Sequence, residues 1–149
     1  MKTKIHAIAG LIGFLTIAVF WTSTIYSELF TDHATIAAIK AAILKGMFVL
    51  VPAMAVVGAS GMSLGGKRQD RLSLAKKKRM PIIAANGLLI LLPAAFYLES
   101  KAASGGFDTA FYVVQILEMV AGATNLTMIG LNIRDGLTLT GRIGRMLGR

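Results

Sequence analysis

Three residues stand out for their chemistry: His6, Lys45 and Glu118. Glu118 is the one charged residue in an apolar run covering 109–133. A carboxylate inside hydrocarbon is costly unless it meets a partner or lines a pathway. It lies ten residues from Asp108, about 15 Å along a helix. Lys45 lies at comparable depth, eleven residues from Ala34. On oppositely running helices the two can pair. Such a pair either fixes helix register or forms a proton or ligand site. Lys45 can also snorkel outward, with Lys40 one turn further out. Gln115, Thr22, Thr24 and Asn125 can extend a polar patch around the pair, and Asn86 can add another.

His6 precedes Gly10 by four residues, which puts both on one helix face. Imidazole can ligate iron, and glycine one turn on leaves room for a flat ring. His33 lies 27 residues away, about 40 Å along a helix, so the two histidines cannot share one iron. A second axial ligand would come from a methionine at the same level, Met80 first, with Met62 and Met128 as alternatives, or from His6 of a second copy. At the other end, His33, Asp32 and Glu28 could together form a metal site. There is no cysteine, which excludes disulfides, thiolate zinc and iron–sulfur clusters. No Ser/His/Asp arrangement is evident, and the chemistry expected is electron movement rather than substrate turnover.

The stretch from His6 through Gly10, with Lys4 before it and Leu11, Ile12, Gly13, Phe14 and Leu15 after it, resembles the first helix of membrane b-type cytochromes, including PepSY-associated membrane helices. That resemblance covers about twenty residues. It implies haem b held by His6, with Gly10 beside the ring, and a small electron-transfer component that also contacts quinone. No second intramembrane histidine matches that pattern. The whole chain resembles uncharacterised four-span bacterial inner-membrane proteins. Two further functions stay open: a cofactor-free accessory subunit, and a small proton-coupled transporter that uses Glu118.

The elements that must position these residues are written in the charge pattern. Charged residues make up only 15% of 149 residues, against 55% hydrophobic, where soluble domains carry about 25% charge. Four apolar runs predict spans at about 7–27, 38–62, 80–98 and 109–133. Each is close to the ~20 residues that cross a bilayer as helix, and lipid-exposed backbone leaves helix as the workable form. The first run is longer than a signal-peptide core of about 7–15 residues and has no A-x-A site after it, so it is read as retained. The expectation is all-α: one integral membrane domain over 1–149, an up-down-up-down four-helix bundle.

Net charge is +9. Lys2, Lys4, Lys67, Arg68, Arg71, Lys76, Lys77, Lys78, Arg79, Arg134, Arg142, Arg145 and Arg149 make 13 of the 16 basic residues, and all flank one side of the spans. Glu28, Asp32, Glu99 and Asp108 flank the other. The positive-inside rule then places both termini in the cytoplasm of a bacterium, in its inner membrane. The charge reads as topology, with the lipid bilayer as partner and no nucleic acid. A homo-oligomer or membership of a larger membrane complex is expected. Asp32 or Thr31 can cap the second helix and Asp108 the fourth. Trp21, Tyr26, Tyr97 and Tyr112 are placed to anchor at the interface. Pro52 and Pro93 should kink or open their helices.

Overall fold

The computed structural model describes residues 2–66 and 69–141. Four helices are each long and apolar enough to cross a membrane: α1 (Lys2–Phe30), α2 (His33–Gly65), α3 (Arg71–Ala103) and α4 (Thr109–Leu139). At 1.5 Å per residue each exceeds the ~30 Å of hydrocarbon. The helices run past the apolar runs because caps, rather than hydrophobicity, end them. Asp32 accepts the Thr35 N–H at 2.8 Å and starts α2 five residues before the expected span. Asp70 accepts the Ser73 N–H at 3.0 Å and starts α3 nine residues early. Asp108 accepts the Phe111 N–H at 2.9 Å and starts α4.

Proline leaves its mark in α3. One π-helical turn, Gly87–Leu91, interrupts it just before Pro93, and the Leu92 N–H reaches back to the Gly87 carbonyl. Pro93 offers no N–H, and its ring would meet the carbonyl four residues back, so a widened turn accommodates it. Pro52 and Pro81 sit inside continuous helix.

The interior has two apolar layers. One joins Ile36, Leu98, Ala102 and Phe111 at the end where the two short connections meet. There His33 stacks on Phe107, ring centroids 4.0 Å apart. The other joins Ile17, Ile83 and Ile129, with Phe14, Leu50, Met54 and Met80 around them. The outer surface is strongly apolar, with Phe48, Met62, Leu89, Val113 and Ile116 exposed. In water this surface would be unstable, whereas against acyl chains it is matched.

Some packing departs from the expected pattern. Trp21 turns inward: its indole N–H donates to the Met119 carbonyl at 3.0 Å. Gly122 makes the space, since a Cβ there would lie 3.0 Å from Trp21 Cδ1. Tyr26 is exposed as an interfacial anchor should be. Among the basic residues used to assign sidedness, Lys67, Arg68, Arg142, Arg145 and Arg149 lie outside the described residues.

Candidate functional site: a ladder of buried polar groups on α4

Helix α4 turns polar side chains inward at every level. Gln115, Asn125, Asn132 and Asp135 are all buried, and Glu118 joins them. From Gln115 to Asp135 is about 30 Å of helix, the thickness of the hydrocarbon core. Steps of three and seven residues keep them on one face.

At one end, Lys40 Nζ donates to Glu118 Oε2 at 3.0 Å, with the lysine side chain 1% exposed and the glutamate 14%. Gln115 Nε2 donates to the same oxygen at 3.0 Å. Gln115 and Glu118, three apart, face together. Glu28 of α1 lies within electrostatic reach of Lys40, Glu118 and His33. Among the described residues, the buried oxygens Glu28 Oε1 and Gln115 Oε1 have no hydrogen-bond partner. Thr24 and Ser27, also buried on α1, offer no relief through Ser27, whose hydroxyl donates to the Thr24 carbonyl at 3.0 Å. Lys40 is thus paired with Glu118, while Glu28 stands within electrostatic reach of that pair and of His33, with two acceptor oxygens left over.

In the middle, Asn86 Nδ2 donates to Asn125 Oδ1 and to the Ala121 carbonyl, both at 2.8 Å. Asn125 Nδ2 reaches the Ile83 carbonyl at 3.4 Å. Asn86 immediately precedes the π turn, so the widened stretch of α3 abuts this level. At the far end, Arg79 Nη1 donates to Asp135 Oδ2 at 2.6 Å and to Asn132 Oδ1 at 3.3 Å. Asn132 Nδ2 contacts Met80 Sδ at 3.6 Å.

The expected Lys45–Glu118 pair is not formed. Lys45 lies on the exposed face of α2, and Lys40 takes its place. Ile36, Lys40, Ile43 and Val57 are the buried residues of α2 and follow one helical stripe; Lys45 is out of phase with it. Gln115 belongs to the patch, as its position indicated. Thr22 does not: it is exposed and its hydroxyl bonds its own helix at the Ala18 carbonyl. The pairing of Arg79 with Asp135 is not legible from the sequence, because Arg79 reads as loop until the Asp70 cap is placed.

The expected metal set of Glu28, Asp32 and His33 is not assembled. Asp32 is spent on the α2 cap and His33 stacks on Phe107, while Glu28 lies within electrostatic reach of Lys40, Glu118 and His33. Among the described residues no group of three or more His, Asp or Glu side chains is placed to hold a metal ion. The Asp32 carboxyl is held below its ordinary 3.8 by the Thr35 backbone and side chain. The Asp108 carboxyl is lowered by the Lys101 ammonium, 2.5 Å away, and by the Phe111 N–H.

His6 and Met80 do come together, both bordering Gly61: a Cβ there would lie 3.3 Å from His6 Cε1 and 4.0 Å from Met80 Cε. Ser60 Oγ lies 2.9 Å from His6 Nδ1 and donates to the Val56 carbonyl. The Val57 backbone is a further hydrogen-bonding neighbour of the His6 ring. Gly10 faces α2, where a Cβ would stand 3.9 Å from Val57 Cγ2.

Fold and site define a helical protein with four potential membrane spans and a buried ionic cluster. The chain matches no family model, no curated protein and no solved structure.

Proposed function

We propose that this is a four-span protein of the bacterial inner membrane whose Glu118–Lys40–Glu28 cluster accepts protons as part of a small proton-coupled transporter. The helices form an up-down-up-down bundle with both termini in the cytoplasm. The bias of basic residues toward one side supports that sidedness, and it sets the acidic cluster nearer the periplasm and the Arg79–Asp135 pair nearer the cytoplasm.

The observation that carries the reading is the charge imbalance. Glu118 is paired with Lys40, and Glu28 adds a second carboxylate within electrostatic reach of that pair, with His33 as the other charged or titratable group facing Glu28. A carboxylate beyond the one ammonium is costly in a low-dielectric site. A proton on either carboxylate restores neutrality and supplies an O–H for an orphan oxygen. The polar ladder below it, through Asn125 and Asn132 to Asp135, supplies hydrogen-bonding groups across the rest of the bilayer. A carbodiimide tests proton acceptance, because it modifies protonated carboxyls in apolar surroundings. Modification at Glu118 or Glu28 that increases on acidification is expected. Modification confined to the exposed Asp32 and Asp108 would refute the reading.

A second reading is an electron carrier holding haem b, or touching quinone, at His6 and Met80. The nearness of His6 to Met80 across Gly61 favours it. A Soret band that disappears in His6→Ala would establish it; haem-replete protein without the band would dismiss it.

A further inference from the structure

A shallow groove of about 620 Å3 runs between α1 and α4, lined by Phe14, Ala18, Trp21, Leu126, Gly130 and Arg134, among others. Drug-sized pockets span about 300–1,000 Å3, so its size suits a molecule rather than a water. Its extent along α1, from Phe14 to Thr22, and along α4, from Leu126 to Arg134, is about 12 Å in each case. That covers most of a single leaflet of roughly 15 Å, half of a ~30 Å hydrocarbon core.

The lining offers almost no hydrogen bonds. Thr22 gives its hydroxyl to the Ala18 carbonyl and Thr127 to the Ala123 carbonyl, each at 2.8–2.9 Å. Trp21 gives its N–H to Met119. Only at the mouth does a free polar group appear. Arg134 has a side chain 63% exposed and contacts Asp135 Oδ1 through Nε and Nη2 at 3.2 and 3.1 Å. Its Nη1 makes no hydrogen bond among the described residues. Asp135 is shared with Arg79, so two guanidiniums meet one carboxylate and a positive charge remains. An apolar trough most of a leaflet long, opening on an uncompensated guanidinium, has the complement of an amphiphile with an acyl tail and an anionic head.

We propose that this groove is a binding site for an anionic phospholipid, its phosphate on Arg134 and one acyl chain along Phe14, Ala18, Leu126 and Gly130. The inference rests on membrane embedding alone and is independent of the proton reading. Arg134 fixes the headgroup, because a guanidinium suits phosphate oxygens with two parallel donors. Trp21 and Thr22 line the groove at the end away from Arg134.

Native mass spectrometry of delipidated full-length protein tests it, with phosphatidylglycerol and phosphatidylcholine of identical chains. The wild type should retain the anionic lipid preferentially. Arg134→Gln should reduce that preference about fivefold, the contribution of one basic residue at a lipid headgroup. Asp135 keeps Arg79 in that variant, so folding survives. Thr127→Phe, which fills the groove wall and keeps Arg134, should weaken both lipids together. Glycerol phosphate, a head without a tail, should not compete. Equal retention of the two lipids, an undiminished preference in Arg134→Gln, full competition by glycerol phosphate, or recovery of a neutral isoprenoid in place of phospholipid would each overturn the proposal.

Discussion

Replacing Glu118 by leucine should cost this protein about 3 kcal/mol. Breaking a buried ion pair by removing one partner costs about 3–5 kcal/mol, since the remaining charge is stranded. Here the stranded group is the Lys40 ammonium, 1% exposed and 3.0 Å from the lost oxygen. Gln115 Nε2 loses its acceptor at the same time. Two features place the cost at the low end. Glu118 is 14% exposed, and Glu28 remains close enough to attract Lys40. About 3 kcal/mol is a little over a hundredfold in the unfolding equilibrium. Reversible unfolding in mixed micelles reads this directly. The companion variant, Lys40→Met with Glu118→Leu, removes both charges and should recover most of the loss, because apolar replacement of a whole buried pair is often neutral or better. Glu28→Gln added to Glu118→Leu should deepen the loss. If Glu118→Leu unfolds like the parent, or if the two single losses simply add in the double variant, the pair is not the buried, coupled unit described.

The Asn86–Asn125 bond can be measured in the same micelles. Asn125→Ala should cost about 1 kcal/mol, within the ~0.6–2 kcal/mol seen for hydrogen bonds between membrane helices; no coupling to Asn86→Ala in a double-mutant cycle would refute a direct bond. Gly122→Val should destabilise by about 1–3 kcal/mol through overpacking, because Trp21 Cδ1 already lies 3.0 Å from a Cβ at that position. Trp21→Phe should relieve part of it, and a thermal scan showing no relief would mean the clash is elsewhere. Acidification should weaken the two exposed helix caps. The Asp32 and Asp108 carboxyls are depressed in the folded protein from 3.8, so their stabilisation is complete above that pH. It is lost as pH falls below 3.8 through their folded values. Asp32→Asn with Asp108→Asn should flatten this part of the pH–stability curve.

Much of the architecture was legible because lipid imposes a simple rule on composition. Four apolar runs correspond to four helices, and Asp32 and Asp108 at their starts are caps. Glu118 was conspicuous for the same reason, as an acid where none is tolerated without purpose. Its partner was misassigned because counting residues measures depth but not rotation. Lys40 and Lys45 differ by five residues, about 140° around the helix at 3.6 residues per turn. Only the stripe of Ile36, Ile43 and Val57 shows which one faces inward. Trp21 read as an interfacial anchor because its complement, Gly122, lies on another helix. His33 looked like a ligand because nothing local shows that Phe107 will stack on it. Arg79 reads only as a loop charge because the apolar run of α3 begins after it, whereas the helix begins at Arg71, so its pairing with Asp135 is not legible from sequence.

The proton reading is tested most directly by flux in proteoliposomes. Purified protein is reconstituted with a trapped pH-sensitive dye, and an inward pH gradient is imposed with the membrane potential clamped. The wild type should admit protons faster than protein-free vesicles, and Glu118→Gln should return the rate to that of protein-free vesicles while remaining folded. A wild-type rate equal to that of empty vesicles under every gradient and candidate solute tried, or an undiminished rate in Glu118→Gln, would contradict the account.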